Sequence, residues 1–193
     1  MSPKPTSRTL VIDASIAFSA GERSGEAKIC RDFLNTVYSK PWFKIAVSPQ
    51  AKDEWKRNAS PTARRSFYLL MIQERRYIET RGVLASEALS EIADAVEKLA
   101  LSRGRRRELE KDLFLLADAL ETDELVLSND NKARTPFIQV AKSGATTIAR
   151  INWRNPLEKP QESIKWLSLG AKFEPAFQLG KLNPRPEDHE IDF

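Results

Sequence analysis

The chain has 193 residues, of which 41% are hydrophobic and 30% are charged, and its formal net charge is +4. This composition is typical of a globular domain with a sizeable core, and the small positive excess is compatible with a nucleic-acid partner. The single histidine, His189, and the single cysteine, Cys30, argue against His-dependent catalytic triads, His-rich zinc sites and an internal disulfide. Any catalysis must therefore depend mainly on carboxylates, hydroxyls, lysines or arginines.

The sequence carries no signal for a membrane or for secretion. No apolar run approaches the roughly 20 residues that a transmembrane helix needs, and the first residues contain no apolar h-region. A lone cysteine also suits a reducing compartment. We therefore expect a cytoplasmic protein with no membrane partner.

The first half of the chain predicts two short strands, each followed by a helix. The apolar residues 9–12 predict a buried strand that ends at Asp13, and a helical period from about 26 to 39 leads to a second strand at 43–47. Ser48 and Pro49 predict the start of the helix that carries Glu54, since serine is a favoured N-cap and proline a favoured first residue. Further helices are expected from Ser60 to about residue 76 and from residue 86 onward.

The second half is organised around an apolar helix that begins at Asp112. A helix that is apolar over most of its surface belongs in a core, and this one leads into a short strand at 125–127, just before Asp130. The stretch 103–107 predicts a basic loop in front of that helix. Residues 132–142 predict a helix interrupted at Pro136, and residues 146–151 predict a last strand.

Alternating strands and helices of this kind predict an α/β fold with three layers (α/β/α) around a central, mainly parallel sheet. We expect one domain over residues 8–152. Residues 153–193, which contain several prolines, are expected to form a C-terminal extension that packs on the domain and is poorly ordered after about Gly180.

Four acids fall where this fold can bring them together: Asp13, Glu54, Asp112 and Asp130. The carboxyl ends of parallel strands share one edge of a sheet, where ligands bind in open α/β folds. Clustered carboxylates raise one another's pKa, whereas a divalent cation makes their ionised forms favourable. Carboxylates suit Mg²⁺ and Mn²⁺, and such ions can promote phosphodiester hydrolysis. The sequence therefore predicts a metal-dependent hydrolytic site.

Other polar residues are predicted to support these acids. Ser15 and Ser128 lie beside Asp13 and Asp130 and could hold a water or a phosphate oxygen. Asp118 lies about 120° around the helix from Asp112. It is therefore predicted to be a structural hydrogen-bonding group or a support for a metal ligand, rather than a ligand itself. Asp53, next to Glu54, leaves open which of the two faces the site.

Arginines near these elements predict a nucleic-acid contact. Arg57, Arg105, Arg106 and Arg107 could follow a phosphate backbone. The alternative is a solvated surface that is balanced by neighbouring acids such as Glu108 and Glu110.

The motifs LVIDAS (10–15), SPQAKDEW (48–55), DLFLLADALE (112–121) and LVLSND (125–130) together resemble the PIN-domain family. The resemblance covers about residues 9–151 and implies a Mg²⁺- or Mn²⁺-dependent nuclease that acts on RNA and is often the toxin of a toxin–antitoxin pair. It implies that Asp13, Glu54, Asp112 and Asp130 are the catalytic and metal-binding residues.

The chain also departs from the family pattern. Lys132 and Ala133 stand where the family often has an Asp-Phe pair, and Ser128 replaces a more usual threonine. The regions 60–107 and beyond 153 are longer than in compact toxins of the family. Open alternatives are a non-catalytic nucleic-acid-binding or scaffold module, a toxin held by an antitoxin protein, and DNA rather than RNA as substrate. A homodimer is also left open.

Overall fold

The computed structural model describes residues 6–21 and 24–184. Its strands form one sheet with the order β3-β2-β1-β4-β5, and every neighbouring pair of strands is parallel. The strands are β1 (Arg8–Ile12), β2 (Phe43–Val47), β3 (Tyr77–Glu79), β4 (Leu125–Leu127) and β5 (Asn152–Arg154). This confirms the predicted α/β fold with a parallel sheet.

Helices fill the connections between the strands. They are α1 (Ala14–Ser19), α2 (Gly25–Ser39), α3 (Pro49–Asn58), α4 (Pro61–Ala63), α5 (Leu69–Gln73), α6 (Ser86–Lys98), α7 (Arg103–Lys111), α8 (Leu113–Leu120), α9 (Asn131–Lys142), α10 (Thr146–Ala149) and α11 (Pro160–Ser168). A π-helical turn (Arg64–Tyr68) joins α4 to α5, and a 3-10 turn (Pro175–Phe177) follows α11. In the described ranges, no helix has the length and apolarity needed to cross a membrane.

Two hydrophobic cores cover the two faces of the sheet. Alternate residues of a strand point to opposite faces, so Leu10 and Ile12 of β1 join one core and Val11 joins the other. The first core contains apolar residues of α1, α2, α3 and α11, and the second contains those of α6, α8, α9 and α10. The molecule is therefore the predicted three-layer α/β/α sandwich.

The sheet reverses its direction of growth next to β1. The chain adds β2 and β3 on one side of β1 and then adds β4 and β5 on the other. The carboxyl ends of β1 and β4 thus flank a topological switch point, where such sheets leave a crevice for ligands. The backbone N–H of Asp13 donates to the carbonyl oxygen of Leu127 over 2.9 Å, which holds the two strand ends side by side.

A serine caps the start of helix α3, and an indole fixes the helix to the end of β1. The Ser48 hydroxyl accepts a hydrogen bond from the Ala51 N–H (3.2 Å), and Pro49 is the first helical residue, as predicted. The buried Trp55 indole donates to the carbonyl oxygen of Ile12 over 2.9 Å. Because Ile12 directly precedes Asp13, this bond places α3 beside the first predicted acid.

Three local predictions are wrong. Residues 146–151 do not form a strand: α10 lies there, and the Glu91 carboxylate accepts hydrogen bonds from the Thr146 hydroxyl (3.0 Å) and the Thr147 N–H (2.7 Å) at its start. A short apolar run does not by itself distinguish a strand from a buried helical turn.

The other two errors concern helices. The stretch 103–107 is the start of α7 rather than a loop, because the Ser102 hydroxyl caps it by accepting from the Arg105 N–H. Pro136 does not interrupt α9, which runs from Asn131 to Lys142. Most of that helix is buried, so tertiary packing offsets the hydrogen bond that proline removes.

The region after residue 152 continues the fold. Strand β5 spans the predicted boundary between residues 152 and 153, and Trp166 and Leu167 of α11 join the same core as α2. Of the end that is predicted to be poorly ordered after about Gly180, residues 181–184 are described, and Leu182 packs against the second core. Residues from 185 onward, including His189, lie outside the described residues.

Candidate active site

The four predicted acids line a single cavity of about 350 Å³. Asp13 follows β1, Asp130 follows β4, Asp112 precedes α8, and Glu54 lies in the second half of α3. The other lining residues are Ala14, Ser15, Phe18, Arg57, Asn58, Lys111 and Phe114. The structure therefore brings together all four acids at the switch point of the sheet.

Two hydroxyls hold the Asp13 carboxylate in place. Its Oδ2 atom accepts hydrogen bonds from the hydroxyls of Ser15 and Ser128, each over 2.6 Å. Burial raises the pKa of Asp13 and outweighs these hydrogen bonds, and the nearby charge of Asp130 raises it further. Ser15 and Ser128 thus donate to an acid of the site, and that they hold a water or a phosphate oxygen stays a prediction.

Among the described residues, the Asp112 carboxylate has neither a salt bridge nor a hydrogen-bond donor. Burial raises its pKa to about 7; Lys111 opposes this shift, and the charges of Asp13 and Asp130 add to it. Although Asp112 is the N-cap of α8, its side chain accepts no capping hydrogen bond. Such a group is costly in its ionised form unless a cation joins it.

Asp130 combines a capping role with a free oxygen. Its Oδ1 atom accepts from the Ala133 N–H (3.0 Å) at the start of α9, and its own N–H donates to the Ser128 hydroxyl (3.0 Å). Within residues 6–21 and 24–184, its Oδ2 atom accepts no hydrogen bond. That oxygen remains available to a ligand.

Glu54 is held by residues of its own helix. Its Oε1 atom accepts from Arg57 Nη2 (3.0 Å), and its Oε2 atom accepts from the Asn58 amide. Asp53 is exposed and does not line the cavity. Glu54 is therefore the acid that faces the site, and Arg57, predicted to contact nucleic acid, lies beside it.

The donor set fits a hydrated divalent cation. In the described part of the chain, no three His, Cys, Asp or Glu side chains are grouped closely enough to hold an ion unaided. However, Mg²⁺ usually keeps several waters and binds through one or two carboxylates together with substrate phosphates. The Asp112 carboxylate and the free oxygen of Asp130 are donors of this kind.

Asp118 is buried on α8 and does not line the cavity. It is fully buried, and its Oδ2 atom accepts from the Ser48 hydroxyl over 2.8 Å. Burial raises the pKa of Asp118 to about 6, although the Thr80 and Ser48 hydroxyls lower it. Because Ser48 caps α3, this hydrogen bond links Asp118 to the start of the helix that carries Glu54.

The three remaining arginines lie on α7 and not in the acidic cavity. Arg106 and Arg107 line a separate cavity of about 590 Å³, together with Arg103, Gly104 and Glu110. Arg105 is half-buried on the same helix. Since α7 ends at Lys111, directly before Asp112, this basic surface leads towards the site along the chain.

Sequence reasoning missed several residues of the cavity. Lys111, Asn58 and Phe18 line it and were not predicted. Asn58 lies four residues after Glu54 on α3, a spacing that places side chains on the same face of a helix. Lys111 is adjacent to Asp112, but Phe18 gives no comparable signal, because its spacing suits a buried residue equally well.

Comparisons of this chain with protein-family models, with curated proteins and with solved structures found no match. The fold and the geometry of the acidic cavity are thus the basis for a functional proposal.

Proposed function

We propose that the protein is a Mg²⁺- or Mn²⁺-dependent nuclease that hydrolyses phosphodiester bonds, with RNA as its substrate. The observation that carries the proposal is the convergence of Asp13, Glu54, Asp112 and Asp130 on one cavity at the switch point of a parallel sheet. The resemblance of the same stretches of sequence to PIN domains supports it and is the reason for choosing RNA over DNA.

The residues suited to hold the cation are Asp112, Asp130 and Asp13, some of them through bound waters, because no three acids of the described residues are grouped closely enough to bind it together directly. When bound, the cation would lower the pKa of a water and offset charge on the scissile phosphate. Ionised Asp112 gains from this partner, because burial and two neighbouring acids otherwise oppose its charge. Asp13 is oriented for the same task by the hydroxyls of Ser15 and Ser128.

The remaining charged residues would act on the water and on the phosphate. Glu54 is the acid whose role is to orient the attacking water and accept its proton, a role that requires release from Arg57 or Asn58. Arg57 and Lys111 line the same cavity and can face the phosphate oxygens. The cavity thus holds both the acids for a cation and the cations for an anionic substrate.

One observation favours a second function, a metal-independent nucleic-acid-binding module. Glu54 is already paired with Arg57 and Asn58, so part of the acidic charge is balanced by the protein itself. In that case nucleic acid would bind equally well with and without a divalent ion, and loss of the acids would not weaken binding.

The first test is cleavage of labelled single-stranded RNA and DNA with Mg²⁺, Mn²⁺ or EDTA. The wild type should cut RNA only with metal, and Asp112→Asn should lose nearly all cleavage while staying folded. Asp94→Asn, at an exposed position on α6, removes the same charge away from the cavity and serves as the control. Equal turnover by wild type and Asp112→Asn would refute the proposal.

Adjacent acids on α3 provide a sharper comparison. Glu54→Gln removes a charge that faces the cavity, whereas Asp53→Asn removes one that faces solvent. We expect a loss of at least tenfold in cleavage rate for the first and little change for the second. Equal effects of the two substitutions would argue against Glu54 as a member of the site.

A further inference from the structure

Another cavity, of about 660 Å³, adjoins the acidic one and is called the second cavity below. It is not the arginine-lined cavity of α7. The acidic cavity and the second cavity share Ser15, Phe18 and Asp130 as lining residues. Pockets of about 300–1,000 Å³ are the usual size of small-molecule sites. A substrate whose phosphate lies in the acidic cavity would therefore place its neighbouring group in this second cavity.

Phe18 lies at the boundary of the two cavities and is exposed. Its exposed fraction is 55%, although its neighbours Ile16 and Ala17 on α1 are fully buried. A single exposed aromatic side chain is ordinary on a protein surface, but this one lines both cavities. Its ring is thus available to a flat group that enters from the acidic cavity.

The second cavity is lined mainly by neutral polar groups and by acids. Its lining residues are Ser15, Phe18, Ser19, Glu26, Asn129, Asp130, Asn131, Lys132, Asn155, Leu157 and Glu158. Among the lining residues that the structure describes, Lys132 is the one cation against three acids, of which Glu158 is paired with Arg134, so a phosphate is a poor ligand here. Hydroxyl and amide groups beside an aromatic ring suit an uncharged nucleobase.

The side-chain amide of Asn131, in this cavity, is oriented by a hydrogen bond from Asn155. The buried Asn155 donates through Nδ2 to Asn131 Oδ1 (3.1 Å), and its Oδ1 atom accepts from the Leu157 N–H (2.8 Å). In the portion of the chain that the structure describes, the Asn131 amide nitrogen has no hydrogen-bond acceptor. It is therefore free to donate to a ligand.

We propose that this second cavity is a nucleobase subsite for a single-stranded substrate. Phe18 stacks on the base next to the scissile phosphate, and the Asn131 amide donates to an acceptor on the edge of that base. The subsite deepens the proposed nuclease function and rests on it for the position of the phosphate. A base inside a duplex could not present its face to Phe18, so single strands are the substrate class.

The test is a binding cycle with short, labelled single-stranded RNA in Mg²⁺, measured by fluorescence anisotropy. The full chain carries Asp112→Asn to stop turnover, alone or together with Phe18→Leu, which keeps an apolar side chain but removes the ring. Each RNA carries one abasic nucleotide, moved through the sequence. We expect one abasic position to weaken binding about tenfold in the parent and by much less in the Phe18→Leu protein.

Two further variants separate stacking from a structural effect. Phe18→Trp should restore affinity and its dependence on that one base, because a tryptophan ring also stacks. Phe173→Leu removes another exposed ring, one that lines neither cavity, and should leave binding unchanged.

The outcomes for the subsite and for the nuclease can be told apart. If the wild type cleaves RNA but Phe18→Leu and the abasic substitutions act independently, the subsite is refuted and the nuclease stands. If the coupling appears but the wild type never cleaves, the nuclease proposal fails and the subsite belongs to a binding module. No binding of RNA by the parent would refute the subsite.

Discussion

In the absence of metal, the free energy of unfolding should depend on pH through Asp112. Its pKa is about 7 in the folded protein, against an ordinary value of 3.8. Between these two pH values, the folded state holds a proton that the unfolded state has lost, so stability falls as the pH rises. Above about pH 7 the full cost of ionised Asp112 is present, and below about pH 3.8 it is absent.

The size of this effect follows from the difference between the two pKa values. Each pKa unit corresponds to about 1.4 kcal/mol, which sets an upper limit of ~4 kcal/mol. The Asp112 side chain is only half-buried, so solvent screening reduces the figure, and we expect about 2–4 kcal/mol at pH 8. At pH 4.5 the same relation gives no more than ~1 kcal/mol.

The variant Asp112→Asn should therefore stabilise the metal-free protein. In urea unfolding followed by circular dichroism with EDTA, its free energy of unfolding should exceed that of the wild type by about 2–4 kcal/mol at pH 8 and by ~1 kcal/mol or less at pH 4.5. Any fixed cost of the new amide cancels in the comparison of the two pH values. The exposed Asp94→Asn should change stability little at either pH.

Metal should reduce the difference in stability between the wild type and Asp112→Asn at pH 8. A cation at 100 times its dissociation constant would stabilise the wild type by about 2.7 kcal/mol, and it would stabilise Asp112→Asn much less. The reasoning fails if Asp112→Asn changes stability equally at pH 4.5 and pH 8, since Asp112 would then have an ordinary pKa.

Two further predictions concern the surroundings of the site. Trp55→Phe removes the indole donor to Ile12 and should cost about 1–3 kcal/mol in urea unfolding and lower the cleavage rate, because Ile12 positions the next residue, Asp13. Trp42→Phe is the control, since the Trp42 indole has no hydrogen-bond acceptor in the described residues. An equal loss of stability and cleavage rate in the two variants would refute the role of the Trp55 hydrogen bond. Replacing Arg106 and Arg107 by serine should weaken RNA binding and reduce its log–log salt dependence by about 0.7 for each lost phosphate contact. Arg81→Ser is the control. If the salt dependence of RNA binding is the same in the Arg106 and Arg107 variant as in the wild type, RNA does not contact these two arginines.

The residues at the ends of β1 and β4 could be predicted because their signals are local. A short apolar run followed by an acid is readable for Asp13 and Asp130, and Ser48 with Pro49 is a strong start signal for a helix. The fold class follows from the alternation of these elements. Each of these features depends on neighbours within a few residues of the chain.

Two of the features that were missed depend on the position of a strand in the sheet or on a contact that is distant in sequence. Strand β3 has three residues, none of them fully buried, and its edge position gives it no apolar run. Residues 146–149 are helical because Glu91, more than fifty residues earlier, caps them. The spacing of Glu54 and Arg57 predicts that they pair. It does not predict that both side chains face the cavity.

The convergence of the acids depends on the order of the strands, which the sequence does not display. Neighbouring strands lie about 4.8 Å apart, so β4 placed beyond β3 would lie about 14 Å from β1, and Asp130 with it. In the observed order β4 lies directly beside β1. The residue that marks this choice is Ser128, whose hydroxyl reaches Asp13 over 2.6 Å across the switch point. A small polar residue directly after β4 thus links the two strand ends that deliver the acids, which larger apolar residues at this position could not do.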